Sequence, residues 1–91
     1  IVMNNNSWGA EKAYQKDFFG KRYIGADIIN PPFDKVAQRY GAIGFQVNKV
    51  SEVNEALKAA LKCNKAAVIN VNVDPKALYS FRRDSFKHRA K

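Results

Sequence analysis

The sequence predicts an α/β fold, a partial parallel sheet with packed helices in the order strand, helix, helix, strand, helix, strand. Three observations predict it. Residues 43–47 and 67–73 alternate apolar and other side chains with the period of a strand. Between and before them lie stretches whose apolar residues recur at helical spacing. The helical stretches are long enough to serve as crossovers, which parallel neighbours require. With 91 residues, 46% of them hydrophobic, the chain holds one small domain or part of one.

The elements follow in chain order. Ile1, Val2 and Met3 form a short apolar strand that ends at Asn4, Asn5, Asn6 and Ser7, residues that favour turns and helix starts. Residues 10–19 contain Ala, Glu, Lys and Gln without proline, which predicts a helix, and Gly20 stops it. Residues 24–32 hold a glycine and the Pro31-Pro32 pair; they read as a loop in which Asn30 is pushed away from helix by the proline after it. Phe33, Val36, Ala37 and Tyr40 then fall on one helical face, closed by Gly41. Ile43, Phe45 and Val47 make the second strand. Ser51 stands where an N-cap belongs, with Glu52 in the first turn and Val53, Ala56, Leu57, Ala60 and Leu61 on one face of the next helix. Ile69, Val71 and Val73 share a face of the last strand, which Asp74-Pro75 ends.

Charge and cysteine content narrow the function classes. Of the net charge of +8, half sits in residues 80–91, where Arg82, Arg83, Lys87, Arg89 and Lys91 face Asp84 alone; residues 1–79 are a mildly basic body. Phe81 and Phe86 interleave with those arginines, so a small basic nucleic-acid-binding module is the competing reading, although no RNA- or DNA-binding signature accompanies it. Cys63 is the sole cysteine and reads as a small structural thiol at a helix end, with the cytoplasm as the expected compartment. No run of apolar residues is long enough for a membrane span. The apolar start at Ile1, without an initiator methionine, reads as a strand entered in mid-element, so a longer parent is expected.

Open α/β sheets bind ligands at the carboxyl ends of their strands, and the first strand ends in three asparagines. Amide oxygens and main-chain carbonyls are hard neutral donors. They suit Mg²⁺ when a bound phosphate group supplies the balancing negative charge. The Asn5 side chain and the Ser7 carbonyl, two residues apart in one turn, are the candidate pair. His88 is the only histidine and lies in the basic tail, and no zinc-type cluster or glycine-rich phosphate loop is present, so no catalytic residue is expected within the chain.

The stretch Val2-Met3-Asn4-Asn5-Asn6-Ser7-Trp8-Gly9-Ala10 resembles the second half of the thiamine-diphosphate motif, which opens with Gly-Asp-Gly and closes with Asn-Asn. Tyr14-Gln15 and Phe18-Phe19-Gly20-Lys21-Arg22-Tyr23 resemble the following segment of acetolactate synthases, as do Pro32-Phe33-Asp34-Lys35-Val36-Ala37, Tyr40-Gly41-Ala42 and residues 68–75. Trp8-Gly9-Ala10-Glu11-Lys12 and Phe81-Arg82-Arg83-Asp84 are similar to sulfoacetaldehyde acetyltransferases, a sister group. Ala10 departs from the larger residue of acetolactate synthases.

The resemblance implies that residues 1–79 are the C-terminal part of a three-layer thiamine-diphosphate-binding domain. It implies that Asn5 gives a side-chain oxygen and Ser7 a main-chain carbonyl to Mg²⁺, that Asn4 shapes the turn, and that Trp8 and Gly9 lie beside the cofactor. Tyr14 would stand near the substrate entrance or in packing. The parent would form or transfer a two-carbon acyl unit from a small 2-oxo acid or aldehyde, as a homodimer or homotetramer, with no membrane or nucleic-acid partner. The Gly-Asp-Gly aspartate and the glutamate that activates the cofactor belong to the rest of that parent, so this chain alone is expected to be inactive. Residues 80–91 would pack near the active-site mouth, where Arg82 or Arg83 can hold an anionic group, or remain a solvated terminus.

Overall fold

Three runs rich in β-branched and amide side chains become strands: β1 (Val2–Asn4), β2 (Ile43–Val47) and β3 (Ala67–Asn72). The computed structural model describes residues 1–80, which form two compact units; the first comprises Ile1–Asn5 with Ile29–Asp74, the second Asn6–Ile28 with residues 75–80. The expectations for residues 81–91 lie outside the described residues.

In the first unit the sheet order is β1-β3-β2, and both pairings are parallel. The register sets Asn4 beside Asn72 and Gln46 beside Asn70. Since side chains alternate along a strand, Asn4, Gln46, Asn70 and Asn72 project from one face, and Phe45, Val47, Ile69 and Val71 from the other. The first face is knitted by amides. Asn70 Nδ2 donates to Gln46 Oε1 at 2.7 Å, Asn72 Nδ2 to Asn48 Oδ1 at 2.8 Å, and Gln46 Nε2 to Asn48 Oδ1 at 3.1 Å. Val47 and Ile69 are buried on the other face.

Helix α2 (Phe33–Arg39) ends in a Schellman motif. Gly41, at φ +82°, donates to the Gln38 carbonyl at 3.1 Å, and Ala42 to that of Ala37 at 3.0 Å. The chain then enters β2, and a Cβ at Gly44 would stand only 2.0 Å from the Asp34 carbonyl oxygen. Glycine at 44 is therefore what lets α2 lie directly on the strand. Ala37 is the buried apolar residue of this helix, whereas Tyr40, expected on the same face, is the cap and is 88% exposed.

Helix α3 (Val53–Lys62) leads from β2 to β3, and its Ala56 and Ala59 share a cleft with Phe45 and Val47. Two corrections fall here. Ser51 is not the N-cap: a 3₁₀ turn, Val50–Glu52, precedes α3, and Glu52 Oε1 accepts the backbone N–H groups of Asn48 at 3.1 Å and Lys49 at 2.9 Å. The carboxylate reaches back three residues to Lys49, the residue that caps the 3₁₀ turn. Second, Leu57 and Leu61 of the expected apolar face are exposed, Leu61 by 77%, and only Val53, Ala56 and Ala60 are half-buried. Cys63 caps α3, half-buried, its Sγ 3.1 Å from the Ala60 carbonyl.

The second unit is built on α1 (Gly9–Phe18), which starts and ends one residue earlier than the sequence predicts. Gln15 clasps the returning loop by both ends of its amide, with Nε2 donating to the Ile24 carbonyl at 2.9 Å and Oε1 accepting the Ile24 N–H at 3.4 Å. Lys12 pairs with Asp27 at 2.5 Å and lies 4.9 Å from the centre of the Tyr23 ring. Ala13 and Ala26 are its buried apolar residues.

Candidate functional site

The turn after β1 sits where a parallel sheet offers its strands' carboxyl ends, and each asparagine there has a different task. Asn4, the last residue of β1, is 7% exposed. Its carbonyl accepts the Val73 N–H at 2.9 Å, which carries the β1–β3 pairing one step beyond the strand, and its Oδ1 accepts Asn30 Nδ2 at 2.8 Å. Asn5 follows, half-buried, as the final residue of this part of the first unit.

The second unit begins with Asn6, whose φ of +53° is the left-handed conformation that asparagine tolerates better than most residues. Its carbonyl accepts the Ile28 N–H at 2.9 Å. Ser7 forms an isolated antiparallel bridge with Asp27, and Trp8 donates its N–H to the Ala26 carbonyl at 2.7 Å. Residues 6–8 therefore run beside residues 26–28 before the helix starts. Trp8 then caps α1, its carbonyl accepting the Lys12 N–H at 2.9 Å, and is itself 59% exposed; Gly9 is the first helical residue. Ser7, Trp8 and Gly9 thus share one unit, while Asn5 belongs to the other.

Tyr14 lines an open groove of about 430 Å³ with Glu11, Gln15, Phe19, Arg22 and Ile24, and its ring centre is 6.3 Å from that of Phe18. The ring contact with Phe18 accords with the packing role expected for Tyr14. Among the described residues no group of three or more His, Cys, Asp or Glu is placed to hold a metal ion. No helix among them is long and apolar enough to cross a membrane. The donor set at the turn is neutral: an amide oxygen at Asn5 and main-chain carbonyls. Such a set fits a hard divalent cation whose charge is met by its ligand.

Reading the sequence missed the residue that supports the turn, Asn30, and the amide face behind it. The signal for the latter was present, since Gln46 in β2, Asn48 just after it, and Asn70 and Asn72 in β3 recur with the period of a strand face.

A parallel α/β sheet presents the carboxyl ends of its strands, where open sheets of this class bind their ligands, and here the first strand runs out into consecutive asparagines with neutral oxygens. Comparison with known proteins makes this specific. Residues 1–71 match the family of the thiamine pyrophosphate enzyme C-terminal TPP-binding domain. The chain is 33% identical over 89 residues to the sulfoacetaldehyde acetyltransferase of Castellaniella defragrans, covering 93% of this chain and 15% of that protein. It is 30% identical over 80 residues to a probable acetolactate synthase large subunit of Methanococcus aeolicus, covering 87% of this chain and 13% of that one. A 3D-(3,5/4)-trihydroxycyclohexane-1,2-dione hydrolase of Halalkalibacterium halodurans is 32% identical over 84 residues, covering 86% and 13% respectively. The chain belongs to the thiamine pyrophosphate enzyme family, as a C-terminal TPP-binding domain sequence, and spans about one seventh of the length of these relatives.

Proposed function

We propose that this chain is the C-terminal part of a thiamine-diphosphate- and Mg²⁺-dependent enzyme that forms or transfers a two-carbon acyl unit, and that it anchors the metal–diphosphate end of the cofactor without being active by itself. One observation carries the reading: the family match runs through residues 1–71 with the Asn4-Asn5 pair at the carboxyl end of β1. When bound, thiamine diphosphate supplies the electron sink for carbanion chemistry at a carbonyl carbon.

The work of this chain is positional. Asn5 offers its side-chain oxygen and Ser7 its main-chain carbonyl to Mg²⁺, an ion that demands near-octahedral oxygen donors and keeps part of its shell for phosphate. Trp8, which is largely exposed, and Gly9, a backbone without a side chain, would lie beside the cofactor and form part of its wall. The aspartate of the Gly-Asp-Gly turn and the activating glutamate come from the rest of the enzyme, which works as a homodimer or homotetramer in the cytoplasm on a small 2-oxo acid or aldehyde. The relatives' names, an acetyltransferase acting on sulfoacetaldehyde and a synthase of acetolactate, favour that substrate class.

The test is Asn5→Ala in the enzyme containing this segment. Losing one of few protein donors to the ion raises the Mg²⁺ and cofactor concentrations needed for half-maximal activity by about tenfold or more. Unchanged activation curves would remove Asn5 from the site.

A further inference from the structure

We infer that Asn30 is a positioning residue for the cofactor-anchoring turn, acting on Asn5 through Asn4. The inference rests on the proposed metal-binding role of Asn5 and adds to it a residue remote in sequence. Asn4 is nearly inaccessible to solvent, so its side-chain oxygen draws on a protein donor, and Asn30 Nδ2 supplies one at 2.8 Å. On the main-chain side the Val73 N–H holds the Asn4 carbonyl. Asn4 is thus held through both its side chain and its main chain by segments far apart in the sequence. The direction in which the chain leaves β1, and hence where Asn5 begins, is set by that grip.

The donor is itself held firmly. Asn30 precedes Pro31, which confines it to extended backbone, and Pro32 is the N-cap of α2. Helix α2 lies on β2 without the room of even one methyl group at Gly44. The position of Asn30 is therefore referred to the sheet through a proline-stiffened segment and a tightly seated helix, all within the first unit. A strand-end side chain locked this way keeps the alternation of β1 in register up to its last residue. A slip there would turn the following amide to the opposite side. Without the Asn30 donor, Asn4 loses a contact that fixes its side chain at the strand end, and any shift it makes is passed to Asn5 as the next residue.

The experiment measures cofactor dissociation constants by calorimetry at fixed Mg²⁺, together with the apo-enzyme Tm, for the enzyme containing this segment and its Asn5→Ala, Asn30→Ala and double variants. Asn30→Ala should weaken cofactor binding about tenfold. Because both substitutions act on one ligand, the double variant should bind no more weakly than Asn5→Ala alone. A purely structural staple would lower Tm and leave the dissociation constant unmoved, or its effect would multiply with that of Asn5→Ala; either result overturns the inference while the role of Asn5 stands. An unchanged constant for Asn5→Ala would overturn the metal-anchor reading first and this inference with it. If Asn30→Ala fails to fold, Asn30→Ser, which keeps a shorter donor, carries the same comparison.

Discussion

At the scale of single residues, the amides of this chain divide tasks that identical side chains would seem to share. Asn4 is a buried strand end, Asn5 the proposed ligand and Asn6 a left-handed turn residue. The run was legible as a turn because asparagine tolerates both conformations; what holds Asn4 was not, because Asn30 and Val73 are remote in sequence. Asn70 illustrates the cost of the amide face. It is 3% exposed, and its Oδ1 has no hydrogen-bond partner among the described residues, while its Nδ2 serves Gln46. An unsatisfied buried acceptor costs about 1–3 kcal/mol, and the bond to Gln46 returns about 0.5–1.5 kcal/mol. Gln46 is exposed, so water can replace its lost partner. Asn70→Val should therefore leave the chain as stable or more stable by roughly 1 kcal/mol, read as the midpoint of urea unfolding. A clear loss of stability would mean that the acceptor is satisfied.

At the scale of elements, period, composition and punctuation were enough to place the three strands and three α-helices of the described residues in order, though not the 3₁₀ turn before α3. What the pattern does not carry is which strand pairs with which, and whether an apolar face is covered. The order β1-β3-β2 and the exposure of Leu57 and Leu61 both belong to that second kind of information. The start of α3 was misread for a related reason: serine is the commoner cap, but Glu52 reaches back to two N–H groups at once. The seat of α2 on β2 gives the sharpest test at this scale. The atom that a Cβ at Gly44 would meet is a backbone carbonyl inside a helix turn, which cannot rotate away. Gly44→Ala should cost about 1–3 kcal/mol or more, despite alanine's better strand entropy, and lower the unfolding midpoint accordingly. Wild-type stability would show that α2 moves off the strand freely.

At the scale of the whole molecule, the described residues bury few apolar side chains completely: Ala37, Val47 and Ile69 in the first unit, Ala13 and Ala26 in the second. Large apolar groups such as Ile1, Met3, Ile24, Ile29 and Leu61 are exposed instead. Complete burial of a large aliphatic chain contributes about 1.5–3 kcal/mol, and alanines contribute much less, so little is available to offset the ordering of a cofactor-binding turn. The charge of +8 does favour anions in general, but weakly and in a salt-dependent way. Specific capture of a diphosphate needs several donors fixed before the ligand arrives, and this chain gives the proposed metal ion only two, Asn5 and Ser7. The 91-residue chain alone should accordingly show no saturable thiamine diphosphate binding by calorimetry at millimolar Mg²⁺. Any heat observed should fade as salt is raised, as expected of diffuse attraction to a basic surface rather than of a built site. A micromolar dissociation constant that survives physiological salt would show that the turn is preorganised without the rest of the enzyme, and that the anchor is complete within these residues.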